Sequence, residues 1–322
     1  MSQFKSNFSK LIEQFIEYRK ASGLWNESCY EVNIKIFDHF CADNYQENME
    51  LTQVMVDEWC AKRITETNRS NGTRTQVIKV FINYLRSRNL TDILPPITLK
   101  LEPSTYIPYA FEDEELKRFF YACDSIQPYL GKRISVIRKF TIPVFFRLLY
   151  STGMRAIEAR LLKRDNVDLV RGIIDIQKSK GHDQHYVVMH DTMTNLMAEY
   201  DQAIAKLQPF REYFFQSDNK NTHYSSAWVQ DNFRILWNEA NNTSMSPVAN
   251  DVRHHYAIEN INSWIDDGFE FCDKLQYLSN SMGHRSIEAT RYYYSIVPRL
   301  ADTLRDKTES SFNAIVPEVS DD

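Results

Sequence analysis

Apolar residues recur at helical spacing from the start of the chain. In FKSNFSKLIEQFIEYRK, residues 4 to 20, Phe8, Leu11, Ile12, Phe15 and Ile16 fall on one stripe, as expected of an amphipathic helix packed on a core. The same period returns in VNIKIFDHFCADNY and in TQVIKVFINYLRSRN, so the first hundred residues read as all-helical. Asn71-Gly72 marks a polar turn just before the last of these helices, and Asn89 marks its end. Pro95, Pro96, Pro103 and Pro108 then break the periodicity. Residues 91 to 109 therefore read as extended, with 101–109 as the linker between a helical domain, 1–100, and a second domain that begins near Ala110 and runs to 298.

The second domain changes period. FEDEELKRFFYACDS is an acid-rich helix start, and residues 135 to 150 form a further apolar stretch that contains Pro143 and stops at Thr152-Gly153. A short helix from Met154 to Leu162 follows. VDLV, GIIDIQ and HYVVMH are apolar, β-branched runs, and the polar turn KSKGHDQ joins the last two as a hairpin. From about Thr192 to Leu300 the pattern is helical again. The end, DKTESSFNAIVPEVSDD, is polar and acidic. The predicted class is mainly α with a small antiparallel β-sheet, the sheet belonging to an α+β second domain. Neither an internal repeat nor a Gly-rich phosphate loop is present.

With 322 residues and 43% hydrophobic content, the chain can bury two cores. No apolar run approaches the length of about eighteen residues that a membrane helix needs, and the start, MSQFKSNFSK, lacks a secretory pattern. The expected location is the cytoplasm, with no membrane partner. The five cysteines are widely spaced and form no C-x-x-C pair, which points to buried thiols instead of a disulfide or zinc framework. No metal or cofactor is expected. A net charge of −5 weighs against nucleic acid, but its distribution reverses the picture. Residues 21 to 58 hold one base, Lys35, against eight acids, whereas residues 59 to 90 hold seven bases against Glu66 alone. Lys62, Arg63, Arg69, Arg74, Lys79 and Arg86 of this stretch are the candidate phosphate contacts, although such a run also suits a solvated face.

Metal-free cleavage of DNA needs a nucleophile, cations to neutralise the scissile phosphate, and an acid for the leaving 5′ oxygen. The second domain has candidates for each. In LLYSTGMRAIEARLL, Arg155 follows a Thr-Gly turn and Glu158 stands one helical turn on, where it can orient the guanidinium or simply form a surface pair. In NDVRHHYAIE, Arg253 adjoins His254 and His255. In MGHRSIEATRYYY, His284 precedes Tyr293 by nine residues. Neighbouring helical residues point about 100° apart, so only one of Tyr292, Tyr293 and Tyr294 can face a given phosphate.

In order and spacing these pieces resemble the tyrosine recombinases: an acidic E-E-L helix, T-G-x-R-x-x-E, a Lys-bearing hairpin, x-x-x-R-H, and x-G-H-x-S-I-x-x-T-x-x-Y. The resemblance covers nearly the whole chain. It implies a helical core-binding domain that contacts DNA and a catalytic domain, together forming a clamp on the duplex. It further implies that Arg155 and Arg253 grip the scissile phosphate, that His284 donates to a nonbridging oxygen, and that Tyr293 attacks to form a 3′-phosphotyrosine. Lys180 is the implied general acid. Counting back from HYVVMH favours it over Lys178, which otherwise remains an alternative. The implied partners are double-stranded DNA with a specific recombination site and three further copies of the chain in a homotetramer that passes through a Holliday junction. An accessory directionality factor is a candidate further partner. Residues 299–322 are the segment expected to dock on a neighbouring subunit.

One departure is plain: where the family usually has histidine, three residues before the second arginine, this chain has Asn250. Asn can hydrogen-bond but cannot transfer a proton near neutral pH. It either weakens the reaction or caps the helix beginning at Asp251; His254 could in principle stand in for it, but the resemblance implies a structural role for the histidine directly after this arginine. The competing classes are a DNA-binding regulator of the same fold, a type IB topoisomerase or hairpin-forming resolvase, and a metal-dependent nuclease, for which no carboxylate cluster is apparent.

Overall fold

The computed structural model describes residues 4–25, 27–45, 50–99, 108–177, 184–218, 222–243, 246–263, 271–284 and 286–294. The chain divides into two compact units, Met1–Tyr106 and Ile107–Asp322.

The first unit is helical among its described residues. Helices α1 (Ser9–Ala21), α2 (Val32–Asn44), α3 (Gln53–Cys60) and α4 (Asn68–Arg86) follow one another, with a π-helical turn at Glu27–Glu31 leading into α2. The stripe read on α1 is buried as its spacing requires: Ile12 and Phe15 are wholly inaccessible, and Leu11 and Ile16 pack on the same core. A buried carboxylate anchors the N-terminal segment, because Asp38 accepts from the backbone N–H of Lys5 at 2.6 Å and of Ser6 at 3.0 Å. Asn89 adopts the left-handed conformation (φ 56°). The N–H groups of Asn89 and Leu90 bond back to Arg86 and Leu85, and this Schellman closure ends α4 where the sequence placed its stop.

The expected turn at Asn71-Gly72 is not there. The α4 helix begins three residues earlier, with the Thr67 side chain accepting from the Ser70 N–H, and both residues lie inside it. Tertiary contacts override the local turn signal. Asn71 is buried, and its amide donates to the Cys60 carbonyl at 3.0 Å and to Glu66 at 3.3 Å.

In the second unit α5 (Asp113–Asp124) opens with a capping box in which the Glu115 carboxylate accepts from the Glu112 N–H at 3.0 Å. Helix α6 (Arg133–Thr152) carries Pro143 inside and ends at Gly153 in the left-handed conformation (φ 62°). A Cβ at Gly153 would collide with the Tyr256 ring, so glycine is required twice over. Helix α7 (Ala156–Leu161) leads to strands β1 (Val167–Asp168), β2 (Ile173–Ile176) and β3 (His185–Val188), which form an antiparallel sheet in that order. Ile174 pairs with Val187 and Ile176 with His185, and Ile174, Ile176 and Val187 turn into the core.

Next come α8 (Asp191–Ala205), a second small hairpin of β4 (Gln216–Ser217) and β5 (Thr222–His223), and then α9 (Ser226–Ala240), α10 (Asp251–Ser263), α11 (Phe271–Ser281) and α12 (Ile287–Tyr294). The β4–β5 hairpin interrupts a stretch that reads as helical throughout. Its strands are polar and two residues long, with no alternation to reveal them; they are set by Phe214 and Phe215 just upstream, both buried in the core. The class remains mainly α with small antiparallel sheets, as expected from the sequence. No helix among the described residues is long and apolar enough to cross a membrane.

Candidate active site

Arg155 stands in extended conformation immediately before α7. The Glu158 carboxylate, one turn on, accepts from the Arg155 backbone N–H and from its Nη1, both at 2.7 Å. Glu158 is itself buried, so it is no surface partner but a fixed anchor that aims the guanidinium. The other arm of Arg155, Nη2, donates to the Gly283 carbonyl at 3.1 Å. Arg253, on the first turn of α10, is 5% exposed. It donates through Nη1 to the Gly153 carbonyl at 2.6 Å and through Nη2 to the Met282 carbonyl at 2.9 Å. The T-G turn and the M-G-H turn are thus drawn together by two arginines.

His284 meets the same group. Its Nε2 lies 2.8 Å from Arg253 Nη2 and its Nδ1 lies 2.7 Å from Thr290 Oγ1. Guanidinium can only donate, so Nε2 accepts and the ring proton sits on Nδ1, bonded to the buried Thr290. Tyr293 is 4% exposed, and its ring stacks on that of His284 with centroids 6.0 Å apart and planes 13° apart. Tyr293 is also among the groups that favour the charged form of Arg253 against the effect of burial. Arg155, Arg253, His284 and Tyr293 therefore meet at one place within the second unit. Lys178 and Lys180 lie outside the described residues, as does the segment 299–322. The side chains of Tyr292 and Tyr294 also lie outside them.

Asn250 does not cap α10 with its side chain. Its carbonyl accepts from the Arg253 and His254 N–H groups, while its amide Nδ2 approaches His254 Nε2 at 3.0 Å. The His254 ring in turn lies 5.3 Å from that of Tyr293. Asn250 is therefore tied to the nucleophile candidate through His254, a link that its position in the sequence did not disclose. Sequence reading also missed two other residues. Thr290 was visible in S-I-x-x-T-x-x-Y without a partner to explain it. His185 had no signal at all: it heads β3, and its ring lies against Gly283, close enough that a Cβ on that glycine would sit 2.7 Å from Nδ1 and 2.8 Å from Nε2.

Of the candidate phosphate contacts in the first unit, Lys62, Arg63, Arg69 and Arg86 are exposed and Lys79 is half-buried. Arg63 rests over the Trp59 ring at 5.0 Å. Arg86 Nη1 donates to the Ile93 carbonyl at 3.0 Å. Arg74 must be withdrawn as a contact. It is buried and holds both oxygens of Glu66 at 3.0 and 2.7 Å, and that hydrogen bonding is the main reason the Glu66 carboxyl is held down at about 2. Arg74 is thus committed to an ion pair inside the first unit, with its side chain covered by the fold.

The histidines of the candidate cluster bind protons weakly. Burial first, then the Arg253 and Arg155 charges, push His284 down to about 4, and burial lowers His254 and His255 as well. An unfolded histidine takes up its proton near 6.5, so between there and about pH 4 the unfolded chain holds more protons than the folded one. Stability from these groups is therefore complete above pH 6.5 and drains away as the pH falls. Urea unfolding of the full chain should show a lower midpoint at pH 5 than at pH 7. His284→Gln should flatten the dependence by at most about 1.4 kcal/mol per pH unit; an unaltered slope in that variant would refute the low affinity of His284 for its proton. Among the described residues no group of three or more His, Cys, Asp or Glu is arranged to hold a metal ion.

The model of the phage integrase family matches residues 111–298, and the chain belongs to that family. A protein of Sinorhizobium fredii named as an integrase/recombinase, y4rB, is 24% identical over 309 residues, spanning 92% of this chain and 95% of that one. The tyrosine recombinase XerC of Bacillus pumilus is 27% identical over 183 residues, or 56% of this chain and 50% of XerC. Among solved structures, the XerH site-specific recombinase bound to palindromic difH superposes with a TM-score of 0.62 at 18% identity, over 93% of this chain and 84% of XerH. The likeness to tyrosine recombinases read from the motifs is borne out.

Proposed function

We propose that this chain is a site-specific DNA recombinase that cleaves and rejoins DNA through a 3′-phosphotyrosine at Tyr293. The observation that carries the reading is the meeting of Arg155, Arg253, His284 and Tyr293 in one cluster. Two guanidiniums stand ready for the negative oxygens of a phosphodiester, and a buried phenol rests against one of them. Attack by the Tyr293 oxygen on phosphorus forms the Tyr–O–P bond, releases the phenol proton to solvent and breaks the bond to the 5′ oxygen, which leaves with a proton from Lys180. The ester conserves the bond energy, so religation needs no nucleotide cofactor. A phosphate arriving beside His284 offers the anionic partner that its surroundings lack, which favours uptake of a proton at Nε2 and donation to a nonbridging oxygen. Family membership and the DNA-bound XerH relative support double-stranded DNA with a specific site as substrate. They also support action in the cytoplasm, at the nucleoid. A homotetramer on two sites is the assembly that strand exchange demands, with residues 299–322 as the segment that docks between subunits and a directionality factor as a further partner. The test is incubation of the wild-type chain with nicked duplex from DNA flanking its own gene. A covalent protein–DNA band, with the 3′ end blocked and the 5′ hydroxyl free, supports the reading. Stoichiometric binding with no such band would reduce the chain to a DNA-binding regulator.

In the first unit Lys62, Arg63, Arg69 and Arg86 are the contacts to the phosphate backbone, with Lys79 a more shielded fifth. Replacing Lys62, Arg63 and Arg69 by alanine should lower the slope of log affinity against log salt by about one for each residue, whereas Arg74→Ala should cost stability instead. A triple variant with the wild-type slope would put DNA on another face.

Asn250 is the weak point of the site. Asn250→His should raise the single-turnover cleavage rate about tenfold, a part of the 10²- to 10⁴-fold that acid–base help can supply. Its bond to His254 is given up in exchange. A variant that cleaves no faster would place the useful imidazole elsewhere, with His254 first in line.

A further inference from the structure

His185 is absent from the chemistry derived above, yet it touches the turn on which that chemistry is built. It opens β3 opposite Ile176, the last residue of β2, at the mouth of the hairpin whose turn contains Lys178 and Lys180 in the sequence. Its ring is half-buried, with Nε2 shielded from solvent, and faces Gly283 so closely that no side chain fits between them. Gly283 is in the left-handed conformation (φ 62°). Its carbonyl receives Arg155 Nη2 at 3.1 Å, and the next side chain is His284. His185 is also near enough to His284 to stand, after burial and the two arginines, among the influences that lower its proton affinity.

Resting on the recombinase reading, we propose that His185 is a positioning residue: its imidazole, wedged on Gly283, fixes the turn that aims Arg155 and carries His284, and so couples the hairpin to the phosphate site. Two contacts are set by one side chain. If the ring shrinks, the Gly283 peptide is free to rotate, the Arg155 fork loses its second anchor, and Glu158 alone holds it. A misplacement of about 1 Å in such a clamp can cost up to about a hundredfold in rate. The glycine is explained by the same contact, because the left-handed turn and the close approach of the imidazole both exclude a Cβ.

The first arm of the test needs no DNA. Nitrogen-15 NMR of the full-length protein should show His284 gaining proton affinity in His185→Ala by about threefold or more, since part of its burial is removed and the turn that carries it is released. In the second arm, nicked duplex from DNA flanking the gene should be cleaved about tenfold or more slowly by His185→Ala at unchanged affinity, with most of the rate returned by His185→Phe, which keeps the wedge without the ring nitrogens. Gly283→Ala should be slow on its own. Adding His185→Ala to it should cost less than the two single effects multiplied, because the added methyl then enters vacated space. If His185→Ala proves unfolded, His185→Asn carries the same expectations. A folded variant in which His284 titrates as in the wild type and the two substitutions combine independently overturns the proposal. Should wild-type protein form no covalent adduct, it is the recombinase reading that fails, and the NMR arm still decides the role of His185.

Discussion

Tyr293→Phe is expected to lower covalent adduct formation by more than about a thousandfold, as removal of an essential nucleophile does, while leaving DNA affinity unchanged. The substitution removes one oxygen from a ring that keeps its stack on His284 and its contact with His254, so nothing in the packing changes. What goes is the one oxygen able to attack phosphorus. A phenol ionises near pH 10, and cations close to an attacking oxygen favour its anionic form. Spacing from His284 assigns the role to Tyr293, so Tyr292→Phe and Tyr294→Phe should still form adducts. Because Tyr293 rests on Arg253 of its own chain, a mixture of Tyr293→Phe and Arg155→Ala proteins should stay inactive. Restored cleavage in the mixture would mean that the nucleophile is delivered to another subunit, and adducts formed by Tyr293→Phe alone would remove the assignment altogether.

The second large effect concerns the leaving group. A 5′ alkoxide departs poorly unless protonated, whereas a sulfur at the bridging 5′ position leaves as a thiolate without help. Lys180→Ala should therefore be slower by about 10² to 10⁴ on ordinary DNA, the usual worth of general acid catalysis, and return towards the wild-type rate on the 5′-thio substrate. Arg155→Ala should remain slow on both, because its charge acts on the nonbridging oxygens whatever leaves. The same pair of substrates decides between neighbours in the turn. Rescue of Lys178→Ala, with no defect in Lys180→Ala, would transfer the proton to Lys178.

The parts of this architecture that the sequence disclosed are those governed by local rules. The α1 stripe, the acid-rich start of α5, the stop at Thr152-Gly153 and the β2–β3 hairpin all follow from periodicity, the helix dipole and the backbone freedom of glycine. What stayed hidden is set by contacts distant in sequence. Gly72 sits within a helix because Asn71 is held by Cys60 and Glu66. Arg74 looked like one more base in a basic stretch, yet it folds onto the one acid there, Glu66. The candidate site divides the same way. Its arginines, histidine and tyrosine stand in recognisable spacing, whereas His185 approaches Gly283 only once the sheet and the α11–α12 turn have come together, and no local pattern encodes that approach.

Arg253 carries an obligation that reaches past catalysis into experimental design. Its guanidinium donates to two carbonyl oxygens, of Gly153 and Met282, distant from each other in sequence, and little water reaches it there. Truncating the side chain would strand both oxygens, each at a cost of about 1–3 kcal/mol when left buried and unbonded, a sizeable fraction of the stability of a domain. The residue is a rivet as well as a clamp. An Arg253→Ala protein would therefore confound lost chemistry with a loosened frame, and the faithful inactive form for trapping DNA complexes is the one lacking only the Tyr293 hydroxyl.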